Sequence, residues 1–139
     1  MAITLHDFRN SDLSRNYPAL KHFKSDEFDS PDDIGSGTNM CPKFLIKLDA
    51  ARELANIPFK INSGYRTPAH NKKVGGVKSS SHMNIPCNAV DISVKDSKSR
   101  FIIIQSLLAQ GIKRIGIGRG FIHIDTDCNK VQNLIWHYY

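Results

Sequence analysis

The chain has 139 residues, 40% of them hydrophobic and 23% charged, and this balance predicts one globular domain over 1–139. No apolar run approaches the roughly 20 residues that a membrane-spanning helix needs, which excludes a helical membrane protein and argues against a membrane partner. The formal net charge of +6 favours contact with a polyanion, either nucleic acid or an acidic cell-wall polymer.

The first half of the chain predicts a loop, a helix and a strand in that order. Residues 30–37 are polar and rich in Ser, Pro, Asp and Gly, which predicts a loop after an irregular N-terminal region. Apolar residues at helical spacing then predict an amphipathic helix over 42–56, with Thr38 or Asn39 as its cap. The alternation at 58–62 predicts a short strand.

The second half predicts two more helices and three more strands. A helix should begin near Pro68 and end at the Gly75-Gly76 pair. Residues 89–94 have the composition of a strand, and 112–117 and 121–125 should form a hairpin. Between them, Asp96 or Ser97 should cap a helix that Gly111 ends, and its predicted apolar face consists of Phe101, Ile104, Leu107 and Leu108.

These elements mix without the regular alternation of a doubly wound parallel sheet. We therefore predict an α+β domain with a small, mainly antiparallel sheet, helices packed on one face and a cleft on the other.

Four side chains in two short segments suggest hydrolytic metal chemistry. Catalytic zinc usually takes three protein ligands and keeps a fourth position for water. His82, Asp91 and His123 are our candidate zinc ligands. Residues two apart in a strand share a face, so Asp125 projects beside His123 and is the candidate base that takes a proton from water and returns it to the leaving amine.

Cys41, Cys87 and Cys128 are widely spaced and form no CxxC pair, which disfavours a disulfide framework or a thiolate zinc site. We expect reduced thiols. Cys87 and Cys128 lie near the proposed ligand segments, so a cysteine ligand remains an alternative.

Several segments, in the right order, resemble motifs of the M15 family of zinc D-Ala-D-Ala carboxypeptidases and related phage endolysins. They are 63–71 (SGYRTPAHN), 74–77 (VGGV), 80–82 (SSH), 89–92 (AVDI) and 121–125 (FIHID). The order of motifs extends from about Phe23 to Trp136. The resemblance implies a Zn²⁺ peptidase that acts on peptidoglycan stem peptides, with the three candidate ligands matching the two histidines and the aspartate that bind zinc in the family.

The resemblance also implies roles for residues that do not bind metal. Arg66 matches a substrate-facing arginine, and a guanidinium can clamp a peptide carboxylate with two parallel hydrogen bonds. A structural salt bridge is the alternative. Ser80 would bind substrate or support a ligand, or else cap its loop. Trp136 could cover the cleft and contact substrate, although docking onto the core is the preferred interpretation.

The chain departs from the family at two places. The segment between His82 and Asp91 is two residues longer than usual, which could reshape the cleft or bring Cys87 near the metal. The acidic residue that many members have three positions before the last histidine is Gly120 here. Asp125 is the first candidate to replace it, and Asp127 is the second.

Two other functions compete with a peptidase. A zinc-containing cell-wall binding module without turnover, comparable to the hedgehog signalling domain, is suggested by the missing acid. A nucleic-acid-binding domain rests on charge alone and is not favoured. The start of the chain lacks signal-peptide features, so we expect a protein made in the cytoplasm that reaches the cell wall through another factor, as in phage lysis. We also expect a monomer.

Overall fold

Five short strands form one sheet in the computed structural model, which describes residues 17–139. They are β1 (Ile61–Ser63), β2 (Ala89–Ser93), β3 (Arg114–Ile117), β4 (Phe121–Asp125) and β5 (Leu134–His137). Their order across the sheet is β1-β2-β4-β3-β5. All neighbouring pairs are antiparallel except β3 and β5, which are parallel. The predicted α+β class with a mainly antiparallel sheet is confirmed.

Two long helices cover one face of this sheet. The described residues form α1 (Pro42–Ala55), α2 (Pro68–Lys73) and α3 (Ser97–Ala109), with 3-10 helices at Ser25–Phe28, Ser36–Asn39 and Ser81–Met83. Buried side chains of α1 and α3 join Ile92 and Ile122 in one apolar core. These isoleucines directly follow Asp91 and precede His123, so strand alternation directs Asp91 and His123 to the opposite face.

The helix α1 agrees with its predicted range, but its predicted cap is wrong. Thr38 and Asn39 belong to the preceding 3-10 helix, and Cys41 occupies the cap position without a side-chain hydrogen bond. Pro42 is the first helical residue. Because proline has no N–H to satisfy, this helix can start without a side-chain cap.

The helix α3 begins as predicted but turns a different face to the core. Asp96 is its cap, and its carboxylate accepts a backbone N–H of the first turn at 2.7 Å. Ile103 and Leu107 are buried, whereas Phe101 and Leu108 are 65% and 48% exposed. The predicted face is therefore wrong in part. The apolar residues of α3 lie on several sides of the helix, so the sequence alone does not define one apolar face. Packing against α1 determines which of them are buried.

The strand β5 was not predicted. It pairs with β3 in a register that places Trp136 beside Gly116, and a Cβ at Gly116 would lie 2.7 Å from the indole. The predicted hairpin of β3 and β4 is confirmed. No helix among residues 17–139 is long and apolar enough to cross a membrane. The start of the chain, on which the signal-peptide expectation rests, lies outside the described residues.

Candidate metal centre

The face of the sheet opposite the helices carries a cleft of about 630 Å³. His123 and Asp125 of β4 lie on its floor, and Asp91 of β2 is the cross-strand partner of His123. His82 comes from the 3-10 helix Ser81–Met83 and is 3% exposed. Two neighbouring strands and one loop thus bring the predicted ligands to one place.

The predicted ligand atoms converge. The Nδ1 atom of His123 lies 2.9 Å from Oδ1 of Asp91 and 3.2 Å from Nε2 of His82. The remaining separation, between Nε2 of His82 and Oδ1 of Asp91, is 3.3 Å. Within residues 17–139, this trio is the group of His, Cys, Asp and Glu side chains arranged closely enough to hold a metal ion.

The outer nitrogen of each imidazole faces a hydrogen-bond acceptor. Nδ1 of His82 is 2.7 Å from the carbonyl oxygen of Gly64, and Nε2 of His123 is 2.7 Å from Oδ2 of Asp125. These acceptors place the proton on each outer nitrogen, so both inner nitrogens present lone pairs to each other and to Asp91. Lone pairs so close together repel unless a cation lies between them. Two imidazoles and one carboxylate therefore fit zinc.

The pKa shifts follow from the same crowding. Without a metal ion, a proton on His123 can relieve the repulsion. Burial opposes that proton, but hydrogen bonds to Asp125 and Asp91 raise the pKa of His123 above its ordinary value of 6.5. Burial likewise opposes ionisation of Asp91, yet hydrogen bonds with His123 and His82 hold the pKa of that carboxyl well below its usual range. The site favours positive charge at its centre.

The SGYR segment holds the loop that carries His82. Beyond the bond from His82 to Gly64, the backbone N–H of Arg66 donates to the carbonyl oxygen of His82 at 2.8 Å. A Cβ at Gly64 would lie 2.7 Å from the Cα of Phe28, so no larger residue fits without a shift. The backbone of this segment therefore fixes both the position and the tautomer of the first ligand.

The guanidinium of Arg66 supports the other side of the centre. Its Nη2 donates to Oδ2 of Asp91 at 3.1 Å, its Nε to Ser63 at 3.0 Å and its Nη1 to Asn71 at 3.2 Å. Because a guanidinium has five N–H donors, two N–H groups are not used in these three bonds. Asn71 also donates to the carbonyl oxygen of Val77 and so connects Arg66 to the segment 75–77, which contains two glycines.

The residues that build this centre lie within a recognisable family segment. A family model described as Peptidase M15 matches residues 21–125. The chain belongs to the peptidase M15 family. No curated protein gives a significant match to it. In this M15 peptidase the matched segment contains all three candidate ligands, whereas β5 and the residues after it lie outside.

Asp125 lies behind His123 with both carboxylate oxygens engaged. Oδ2 bonds His123, and Oδ1 accepts from Nε of Arg114 at 2.7 Å and from the backbone N–H of Asp127 at 3.0 Å. Asp125 is 1% exposed; burial would raise its pKa, but the bonds to His123 and Asp127 lower it. These contacts suit a carboxylate that orients an imidazole, so its role as base stays a prediction.

Arg114 was missed by sequence reasoning. It is the cross-strand partner of Asp125, it is 7% exposed, and its guanidinium lies 5.0 Å from the ring of Trp136. An arginine in the otherwise apolar strand RIGI was a signal, since a buried charge needs a partner.

Asp127, the second candidate base, joins the ligand loop to the end of β4. Its carboxylate accepts from the Ser81 hydroxyl at 2.7 Å, from Asn84 at 3.1 Å and from the backbone of Asn129 at 3.1 Å. It does not line the cleft. Ser80 does line it, and its hydroxyl accepts the backbone N–H of His82 at 3.2 Å, which is a loop-capping contact.

The longer segment before Asp91 brings Cys87 close to the ligand loop but not into the metal site. Cys87 is fully buried, and its Sγ lies 3.5 Å from the carbonyl oxygen of His82. Burial raises the pKa of this thiol to about 12, so it stays protonated. Cys128 is exposed, and no cysteine within residues 17–139 joins the metal-ligand group.

Two aromatic side chains from the end of the chain line the cleft. The ring centroid of Trp136 lies 5.7 Å from that of His123, and Tyr138 lies 6.2 Å from Trp136 and 5.3 Å from Phe121. Trp136 thus lies beside a candidate metal ligand, and its contact with substrate stays a prediction. Sequence reasoning did not single out Tyr138.

Proposed function

We propose that this M15 peptidase is a zinc-dependent enzyme that hydrolyses stem peptides of peptidoglycan. The observation that carries the proposal is the convergence of three lone-pair donors in a cleft, with each imidazole held by an acceptor behind it. Three cationic side chains, Arg66, Arg114 and Lys130, line the cleft together with two carboxylates. The lining therefore carries one net positive charge, to which a bound zinc ion would add. A peptide that carries several carboxylates suits such a cleft.

His82, Asp91 and His123 would hold the zinc. A zinc ion bound there supplies a Lewis acid that polarises a peptide carbonyl and lowers the pKa of water. Asp125 keeps the proton of His123 on Nε2 and so leaves Nδ1 free for the metal. Arg66 orients Asp91 and offers its two remaining N–H groups to a substrate carboxylate.

The role of Asp125 separates two versions of the mechanism. As a base, it would collect a proton from water and return it to the leaving amine. As a positioning residue, it would only hold His123 in the tautomer that binds metal. We favour the second version, because Arg114, Asp127 and His123 already occupy the carboxylate.

A second candidate function is a zinc-containing module that binds cell-wall material without turnover. The observation in its favour is that Gly120 offers no acid, while Asp125 and Asp127 are both committed to hydrogen bonds within the protein. The two functions differ in one measurable property, which is release of new amino groups.

Digestion of purified peptidoglycan and defined stem peptides, followed by mass spectrometry, tests both functions. We expect the zinc-loaded protein to cleave one type of bond, and chelator or His123→Ala to abolish cleavage. The product masses would show whether the bond is D-Ala-D-Ala, L-Ala-D-Glu or a cross-bridge. Wall binding without products, at saturating zinc, would favour the module instead.

A further inference from the structure

The backbone fixes Tyr138 as a continuation of β5. Its N–H donates to the carbonyl oxygen of Ile117 at 3.1 Å, which extends the parallel pairing of β3 and β5 by one step. Residues two apart in a strand share a face, so Tyr138 lies on the same side as Trp136. That side is the cleft, which both rings line. Tyr138 belongs to a part of the chain outside the family match.

The ring of Tyr138 stands over the floor of the cleft between two neighbours of His123. Phe121, 5.3 Å away, precedes His123 by two residues on the same strand face, and Trp136 packs against the ring of His123 itself. Phe121 and Trp136 pack against the ring of Tyr138, and the residue still has 53% of its surface exposed, where a ligand could contact it.

The hydroxyl of Tyr138 remains protonated in this setting. Burial raises its pKa; a contact with Trp136 opposes that rise, and the charges of Asp91 and Asp125 add to it. A neutral phenol at neutral pH has one O–H to donate.

Three other protic side chains that line the cleft donate hydrogen bonds within the protein. Ser81 donates to Asp127, Arg114 donates to Asp125, and Lys130 donates to the carbonyl oxygen of Ser79 at 2.8 Å. The Tyr138 oxygen meets Trp136, whose indole N–H can only donate, so the O–H of Tyr138 is not used in that contact.

We propose that the hydroxyl of Tyr138 donates a hydrogen bond to the carbonyl oxygen of the scissile peptide bond as negative charge develops on it. This inference rests on the proposed peptidase function. Attack on an amide moves charge onto that oxygen, and a hydrogen-bond donor already held in position beside it stabilises that charge. The tyrosine would thereby supply transition-state stabilisation from the residue that follows β5.

Tyr138→Phe tests the proposal, with Tyr139→Phe as the matched control. The phenylalanine keeps the ring packing and removes only the hydroxyl. Tyr139 is the adjacent exposed tyrosine. It does not line the cleft, and its ring packs in a tilted arrangement against His137. Turnover number and KM on the cleaved stem peptide, zinc affinity by chelator competition, and binding of a phosphinic peptide that mimics the tetrahedral state should be measured for both variants.

We expect Tyr138→Phe to lower kcat by about 10²–10³-fold, the usual loss on removing one such donor. Binding of the phosphinic peptide should weaken in parallel, while KM, zinc affinity and melting temperature stay within about twofold or a few degrees of the native enzyme. Tyr139→Phe should resemble the native enzyme.

An unchanged kcat in Tyr138→Phe would overturn the proposal. A lower kcat accompanied by a similar fold loss of zinc affinity, or by a melting temperature lowered by more than a few degrees, would overturn it as well. If the native zinc-loaded protein released no product at all, the proposed function itself would fail, and this inference with it.

Discussion

Replacement of Asp125 by asparagine should invert the tautomer of a metal ligand. Oδ1 of Asp125 receives two donors, Arg114 and the backbone N–H of Asp127, and neither can accept a hydrogen bond. The amide oxygen of the asparagine must therefore take this place. Its NH₂ group then faces Nε2 of His123 at about the 2.7 Å that the carboxylate now spans. Two donors cannot face each other, so His123 must move its proton to Nδ1.

The proton then occupies the nitrogen that should bind zinc. Loss of the outer partner of a metal-bound histidine usually lowers metal affinity by about 10–100-fold, or about 1.4–2.7 kcal/mol. Because Asp125→Asn also reverses the tautomer, we expect a loss of about 100-fold or more. Arg114 loses its charged partner, so the free energy of unfolding should fall by up to about 3 kcal/mol.

Zinc affinity measured by competition with a chromogenic chelator, alongside kcat at saturating zinc, tests this reasoning. Asp127→Asn is the matched control, because Asp127 touches Ser81 and Asn84 but no imidazole. It should bind zinc within about threefold of the native protein. Native zinc affinity in Asp125→Asn together with lost turnover would refute the positioning role and support the base that the sequence predicts.

Three other substitutions and one change of pH give further tests. Gly76→Ala would direct a methyl group against the side chain of Asn71 and should lower the free energy of unfolding by about 1–3 kcal/mol in urea titrations. Gly120→Ala, where a Cβ meets nothing within 4 Å, should change it by less than about 0.5 kcal/mol. Arg66→Lys removes at least one charge-assisted hydrogen bond and should cost about 1.5–3 kcal/mol, again in urea. In the zinc-free protein, the pKa of His123 is raised, so the stability that its protonation provides is complete below the ordinary value of 6.5 and is lost as pH rises through the raised pKa. The melting temperature of chelator-treated protein should therefore fall above neutral pH, and zinc should reverse that trend because the metal competes with the proton; a flat profile without zinc would contradict the raised pKa.

The local parts of the structure could be predicted from the sequence. Strand alternation predicted that His123 and Asp125 share one face. The resemblance to the M15 motifs assigned Asp91 to the same site. The cap of α1 was wrong because Pro42 made a side-chain cap unnecessary. The face of α3 was wrong in part because its apolar residues allow more than one stripe.

The non-local parts could not be predicted. The partner of Asp125 is Arg114, which lies 11 residues away and meets it only through the register of β3 and β4. The parallel pairing of β5 with β3 leaves no local pattern, so the tail could not be recognised as a strand of the sheet, although the sequence offered Trp136 as a residue that could cover the cleft. The bond of Ser81 to Asp127 spans 46 residues and is equally invisible in the sequence.

The packing of Trp136 on Gly116 gives the protein a built-in optical probe. Trp136 is the single tryptophan of the chain, and its ring lies 5.7 Å from that of a candidate metal ligand. Indole emission depends on the charge and polarity of its surroundings, so all tryptophan fluorescence arises beside His123. Occupancy of the centre can thus be followed in the unlabelled protein.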